Sequence, residues 1–150
     1  MDRRAPLGFG LVTPAATHCA LHVHDLAESI AFYERYCGMR VVREHGRKEP
    51  TVWMAAKGQE RQFVLVLVSG GERRRQSRND MTHYGFAVAA REDIDRIAER
   101  AREEGRLFWE PMELPPPVGY LCGVEDPNGY VVEFSYGQPL GPGADERDRS

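Results

Sequence analysis

A chain of 150 residues is long enough to bury one full hydrophobic core and short for two independent domains. Hydrophobic residues make up 41 % and charged residues 29 %, an ordinary balance for a soluble protein, and no apolar run approaches transmembrane length. The net charge of −3 argues against nucleic acid or an anionic membrane surface as the partner and leaves a small molecule as the expected one.

Arg3 and Arg4 precede a short, mildly apolar piece ending near Val12, a faint likeness to an export signal. The strand pattern begins by about Thr17 and leaves little to cleave, so the expectation is no signal. Cys19, Cys37 and Cys122 form an odd set without CxxC or zinc-finger spacing, which fits buried thiols in a reducing cytoplasm.

The first alternating run is Thr17 to Val23, with Cys19, Leu21 and Val23 on one face and His18, Ala20 and His22 on the other. Asp25 reads as an N-cap with Glu28 completing a capping box, and the helix it opens runs through Ile30, Phe32 and Tyr33 to about Cys37, with Gly38 as its stop. Strands follow over Met39 to Glu44, Thr51 to Ala56 and Gln62 to Val68. Ser69 to Asp80 is polar and Gly-containing, the best internal boundary in the chain.

After that connector the plan repeats. Thr82 to Val88 is a second alternating run, a helix follows over Arg91 to Glu104 with Gly105 as its stop, and strands lie near Arg106 to Met112, Gly119 to Val124 and Tyr130 to Ser135. The domain plan is thus an extension over 1–15, a βαβββ module over 16–68, a linker over 69–80, a second module over 81–137 and a fraying tail over 138–150. Thr17-His18 and Thr82-His83 occupy the same place in each copy. In both first strands the bulky face is suited to a helix, while the face with histidine and small residues leaves space, as a pocket wall requires.

Asp126-Pro127-Asn128-Gly129 is turn chemistry, and the strand after it is apolar except for Glu133. A carboxylate among aliphatic neighbours is costly without a partner. If the roomy faces of the two copies share one cavity, His18, His83 and Glu133 converge. Two imidazoles and a carboxylate with open positions suit Fe(II) or Mn(II), and also Zn(II) or Ni(II).

With THCALHVHDLAESIAFY (Thr17 to Tyr33), THYGFAV (Thr82 to Val88) and EDPNGYVVEF (Glu125 to Phe134), the chain resembles the vicinal oxygen chelate superfamily of glyoxalases, extradiol dioxygenases, fosfomycin- and bleomycin-type resistance proteins and certain epimerases. The resemblance covers roughly residues 15 to 137. It implies an α+β fold of paired βαβββ modules, their mixed sheets curved around a central cavity, with the metal between modules on His18, His83 and Glu133. The family often adds a fourth ligand on the last strand of module one. Aligning Phe63, Leu65 and Leu67 with Tyr130, Val132 and Phe134 makes Val66 the counterpart of Glu133, and valine binds no metal. Only Glu60 or Gln62, at the edge of that strand, is left to substitute. Three ligands fit the extradiol-dioxygenase and fosfomycin-resistance branches better than the four-ligand glyoxalases and epimerases.

The reading is therefore a metalloenzyme whose substrate chelates the ion through adjacent oxygens. A dioxygenase-like reaction is slightly favoured over lyase, isomerase or transferase chemistry, and a metal-free drug- or metabolite-binding protein is the alternative from another class. Glu133 doubles as a catalytic group and His22, facing the same cavity, is the candidate proton shuttle. Trp53, Tyr120 and Trp109 are the substrate-gripping candidates, with core packing the simpler role for each. The run Arg73-Arg74-Arg75 and Arg78 reads first as a solvated linker. A homodimer is expected, and the linker is long enough for module two to pair with module one of its own chain or of a partner.

Overall fold

The computed structural model describes residues 14–141, so the export-like piece Met1–Val12 and the end of the tail lie outside the described residues. The elements are β1 (His18–Val23), α1 (Leu26–Cys37), β2 (Met39–His45), β3 (Thr51–Ala56), β4 (Val64–Ser69), β5 (Tyr84–Ala87), α2 (Arg91–Glu103), β6 (Leu107–Leu114), β7 (Gly119–Glu125) and β8 (Val131–Tyr136). The duplicated βαβββ plan is present, with one four-stranded sheet per copy, ordered β1-β4-β3-β2 and β5-β8-β7-β6. Within each sheet the first and last strands of the copy run parallel and the other pairs antiparallel.

Local chemistry accounts for the boundaries. Asp25 caps α1 by accepting the Glu28 N–H at 2.9 Å, and Gly38 ends it in the left-handed region at φ 62°. The start of α2 has Ala90 where a capping side chain would stand, and Asp93 compensates by accepting the Ala90 N–H at 3.2 Å. The strand expected from Thr82 begins only at Tyr84. The Thr82 N–H is taken by the Asp80 carboxylate at 2.9 Å and its carbonyl by the Gln76 amide at 2.7 Å, so neither joins the ladder.

The helix-facing side chains of both sheets form one continuous core. Leu21, Val23, Met54, Leu65 and Leu67 of the first copy meet Phe32, Tyr33 and Tyr36 of α1, and the same cluster continues into Ile94, Val124, Val132 and Phe134 of the second. Tyr36 lies 6.4 Å from Phe134, centroid to centroid, so α1 packs on the second copy as well as on its own sheet.

A buried polar knot joins the copies beside this core. Asp126, only 2 % exposed, accepts four bonds: from the Asn128 and Tyr130 N–H groups at 2.8 and 2.9 Å, the Asn128 amide at 3.1 Å and the Tyr33 hydroxyl at 2.7 Å. Asn128 in turn donates to Ser29 at 2.9 Å and accepts the His24 N–H at 2.7 Å. The buried side-chain polar atoms of Asp126 and Asn128 are thereby matched. The Tyr84 hydroxyl donates to that of Tyr33, and burial, followed by the neighbouring Tyr84 and Asp126, pushes the Tyr33 phenol well above its ordinary range. The copies meet through α1 and this turn, and no strand of one sheet pairs with a strand of the other among the described residues.

Removing the Tyr33 hydroxyl leaves Asp126 and Tyr84 each short of one bond. Tyr33→Phe is expected to cost about 1–3 kcal/mol, seen as a lower urea midpoint at unchanged m-value.

Candidate functional site

The register of each sheet sets four side-chain positions in a row across its open face. In the second copy the row is Gly85, Glu133, Gly123, Trp109. In the first it is Ala20, Val66, Trp53, Arg43. The structural pairing thus makes Val66 the counterpart of Glu133, as the sequence alignment of the copies had it.

Glu133 stands between two glycines, so the strands on either side leave room for its carboxylate. It is nonetheless 8 % exposed, and its oxygens are both engaged. Oε2 lies 3.1 Å from His83 Nε2, and Oε1 accepts the Gln138 amide at 3.1 Å. The other ring nitrogen of His83 lies 2.6 Å from the Met81 carbonyl. A carbonyl only accepts, so His83 Nδ1 carries a proton and Nε2 is the nitrogen free to offer a lone pair. A lone pair facing a carboxylate oxygen is repulsive unless a second proton or a cation stands between them.

Trp109 closes one side of this pair, its ring edge-on to His83 at 5.3 Å between centroids. It reaches that place because Gly123 has no side chain: a Cβ there would stand 2.5 Å from Trp109 Cε3. Trp109, one of the three aromatic candidates of the sequence, therefore stands beside this pair. Gln138, expected in the fraying tail, holds the carboxylate. Neither contact had a sequence signal, since both depend on where the strands curl.

His18 lies on the other sheet. Its Nδ1 is 3.0 Å from the Thr17 hydroxyl, and it borders a cavity of about 440 Å³ lined by Ala20, Trp53, Phe63, Val64 and Val66. Among the described residues no three His, Cys, Asp or Glu side chains of one chain gather closely enough to hold a metal ion. One chain therefore brings together two of the three expected ligands, His83 and Glu133, and keeps His18 apart.

The remaining candidates separate. Trp53 does line the cavity beside His18, with the Arg43 guanidinium 5.1 Å from its ring centre. Tyr120 does not reach an open face: it packs toward α2, donating its hydroxyl to Asp95 at 2.5 Å beneath the Arg91 guanidinium. Its place in the strand alternation, shared with Cys122 and Val124, puts it on the helix side. His22 shares the open face with His18 but sits four residues along β1, roughly 13 Å away at strand spacing. Glu60 borders the same cavity, yet its carboxylate pairs with Arg40 at 2.5 Å; its turn's backbone N–H groups, then Arg40, hold its carboxyl below the usual range. Burial pushes the Cys122 thiol up to about 12 and raises Cys19 and Cys37 too, so no cysteine is a poised nucleophile.

Residues 15–134 match the family model described as Glyoxalase/Bleomycin resistance protein/Dioxygenase superfamily. The chain belongs to this superfamily. An uncharacterised protein of Pseudomonas aeruginosa is 51 % identical over 135 residues, covering 89 % of this chain and 96 % of the relative. A lactoylglutathione lyase of Haemophilus influenzae is 30 % identical over 125 residues, covering 78 % and 88 %. Among solved structures, the fosfomycin resistance protein FosX of Listeria monocytogenes, complexed with Mn(II) and a dihydroxypropylphosphonic acid, superposes with a TM-score of 0.64 at 18 % identity, over 92 % of this chain and 98 % of that one. At that identity the likeness is one of fold.

Gly123→Ala forces the Trp109 indole off its seat against His83. The expected outcome is a shifted tryptophan emission spectrum and a loss of about 1–3 kcal/mol from overpacking, whereas an unmoved spectrum would mean that the indole does not depend on this glycine.

Proposed function

We propose that the chain is a divalent-metal enzyme acting on a small substrate with two neighbouring oxygens, and that each metal centre is assembled from two copies, His83 and Glu133 from one and His18 from the other. The observation that carries this reading is the His83–Glu133 pair. Two donors of one ion, each about 2.1 Å from it and at right angles, stand about 3 Å apart; His83 Nε2 and Glu133 Oε2 are 3.1 Å apart. A cation between them also removes the repulsion between the Nε2 lone pair and the carboxylate. Among the described residues no third His, Cys, Asp or Glu joins this pair, and His18 is the histidine at the repeat-equivalent position. The set suits Mn(II) or Fe(II), with Zn(II) and Ni(II) as further candidates.

When bound, the ion polarises the substrate oxygens and stabilises negative charge developing on them. The chain supplies the rest. Gln138 holds Glu133 Oε1 and so directs Oε2 toward His83, while Trp109 shields the pair from solvent on one side. The cavity beside His18, with Trp53 and Phe63, takes the apolar part of the substrate. Proton transfer falls to Glu133, because His22 lies too far along β1 to touch the same ligand.

The reaction class moves away from the dioxygenase chemistry slightly favoured by the sequence. The relative of named activity is a lactoylglutathione lyase, which supports oxygen-independent lyase or isomerase chemistry over oxygenase. Val66 in place of a second carboxylate separates this chain from a site with an acid on both sheets. The apolar cavity beside His18 supports one other reading, a metal-free pocket for a drug or metabolite. A homodimer and a cytoplasmic location belong to the proposal; no helix among the described residues is long and apolar enough to cross a membrane.

The test uses protein purified without chelators or metal-affinity resin. Metal content by elemental analysis is expected to fall to background in His18→Ala, His83→Ala and Glu133→Gln alike. Co-expressing His18→Ala with His83→Ala restores about one site per mixed dimer if the centre spans two copies, and none if it lies within one chain. Full metal content in His83→Ala would remove His83 from the site, whereas wild-type protein without metal, binding a ligand indifferently to all three changes, would favour the metal-free pocket. Oxygen uptake accompanying turnover would return the dioxygenase reading.

A further inference from the structure

The connector between the copies belongs to neither sheet, yet it is firmly held. Its Gly71 N–H bonds the Val23 carbonyl at 3.0 Å, and a Cβ at Gly71 would stand 2.5 Å from the His22 carbonyl. The Arg74 N–H bonds the Asn128 carbonyl at 2.7 Å, and its guanidinium lies 4.7 Å from the Tyr130 ring centre. Gln76 bridges the Asp80 and Thr82 carbonyls, both at 2.7 Å. The Arg78 guanidinium donates to the Phe108 carbonyl and covers the Phe108 ring at 4.5 Å. A loop this long without regular structure, tied down at so many points, is more often functional than a mere spacer.

The anchoring leaves a groove of about 660 Å³ bordered by Arg73, Arg75, Ser77, Arg78 and Phe108. Arg74 is committed to Tyr130, whereas Arg73 and Arg75, two residues apart and so about 6–7 Å apart along extended chain, both border the groove. Neither guanidinium makes a hydrogen bond or ion pair among the described residues. Two unpaired guanidinia on a fixed backbone, beside a third and a hydroxyl, fit an anion with several acceptor oxygens. The basic surface is also short. Glu125 borders the groove and Glu72 and Asp80 flank the arginines in the chain, so no positive stripe continues along which a polynucleotide could run.

From this we infer that the connector groove is a second binding site, specific for a small phosphate-bearing anion held by Arg73 and Arg75. Its position links it to the candidate metal half without merging with it: Phe108 lies 5.5 Å from Trp109 and Trp109 5.3 Å from His83, centroid to centroid. The phosphate group is either free or carried by a metabolite, and the inference does not depend on the metal reading.

The experiment is calorimetric titration of the metal-free full-length protein with pyrophosphate, at low and moderate salt. Saturable one-to-one binding is expected, weakened about tenfold or more in Arg73→Gln/Arg75→Gln, since bonds to charged groups are worth that much. It should be unchanged in Arg47→Gln, a charge control outside the groove, and in His83→Ala. Equal weakening by Arg47→Gln would reduce the effect to diffuse charge and overturn the site. Loss of binding in His83→Ala alone would place the anion at the candidate metal half instead. Tighter binding of a single-stranded oligonucleotide, uncompeted by pyrophosphate, would overturn the class of ligand. Circular dichroism of the double variant guards against a folding defect, and a single Arg75→Gln change gives the intermediate affinity expected of a two-point clamp. Inorganic phosphate and a phosphorylated sugar, run as further arms, separate a free anion from a carried one.

Discussion

The Asp126 carboxylate organises the molecule. It accepts bonds from its own turn and from Tyr33 of α1, while Asn128 beside it reaches Ser29 and the His24 N–H. A buried acid with every lone pair engaged tolerates little displacement, since any shift leaves a donor or an oxygen unmatched. The turn of the second copy is therefore docked onto the β1–α1 junction of the first. Two charged contacts at the rim, Arg106 with Glu28 at 2.9 Å and Arg35 with Glu104, follow the same seam but are more exposed and worth less.

With the copies joined through the helix side, the helix-free face of each sheet carries its own candidate ligands. His83 and Glu133 meet on one face, and His18 stays on the other. Under the proposed assignment each chain carries two half-sites, and a second chain completes each. The intrachain knot and the proposed interchain centre are thus two sides of one arrangement.

The two halves have also diverged at equivalent positions. Where the second copy sets Gly85, Glu133, Gly123 and Trp109 in a row, the first sets Ala20, Val66, Trp53 and Arg43. Glycines clear space around a carboxylate in one case; an aliphatic and an aromatic side chain make an apolar wall in the other. That difference is what makes the two equivalent histidines sit in unlike surroundings.

The duplication, the helix caps at Asp25 and Gly38, the alternation of β1 and the repeat-equivalence of His18 with His83 and of Val66 with Glu133 were all legible in the residues themselves. They are local or periodic properties, set by side-chain volume, backbone freedom and the two-residue repeat of a strand. What the residues could not declare was every contact that depends on distant segments meeting. The turn at Asp126 read as an ordinary hairpin and proved to be the clamp between copies. Gln138 read as tail and holds the Glu133 carboxylate, Tyr120 read as a substrate contact and packs on α2, and the arginine run read as a spacer and frames a groove. By itself, then, the chain order singled out His18, His83 and Glu133 as the candidate ligands. Only the tertiary structure decided which of them share a face, because that follows from how the copies dock, and docking is governed by a few buried polar bonds between residues about a hundred positions apart.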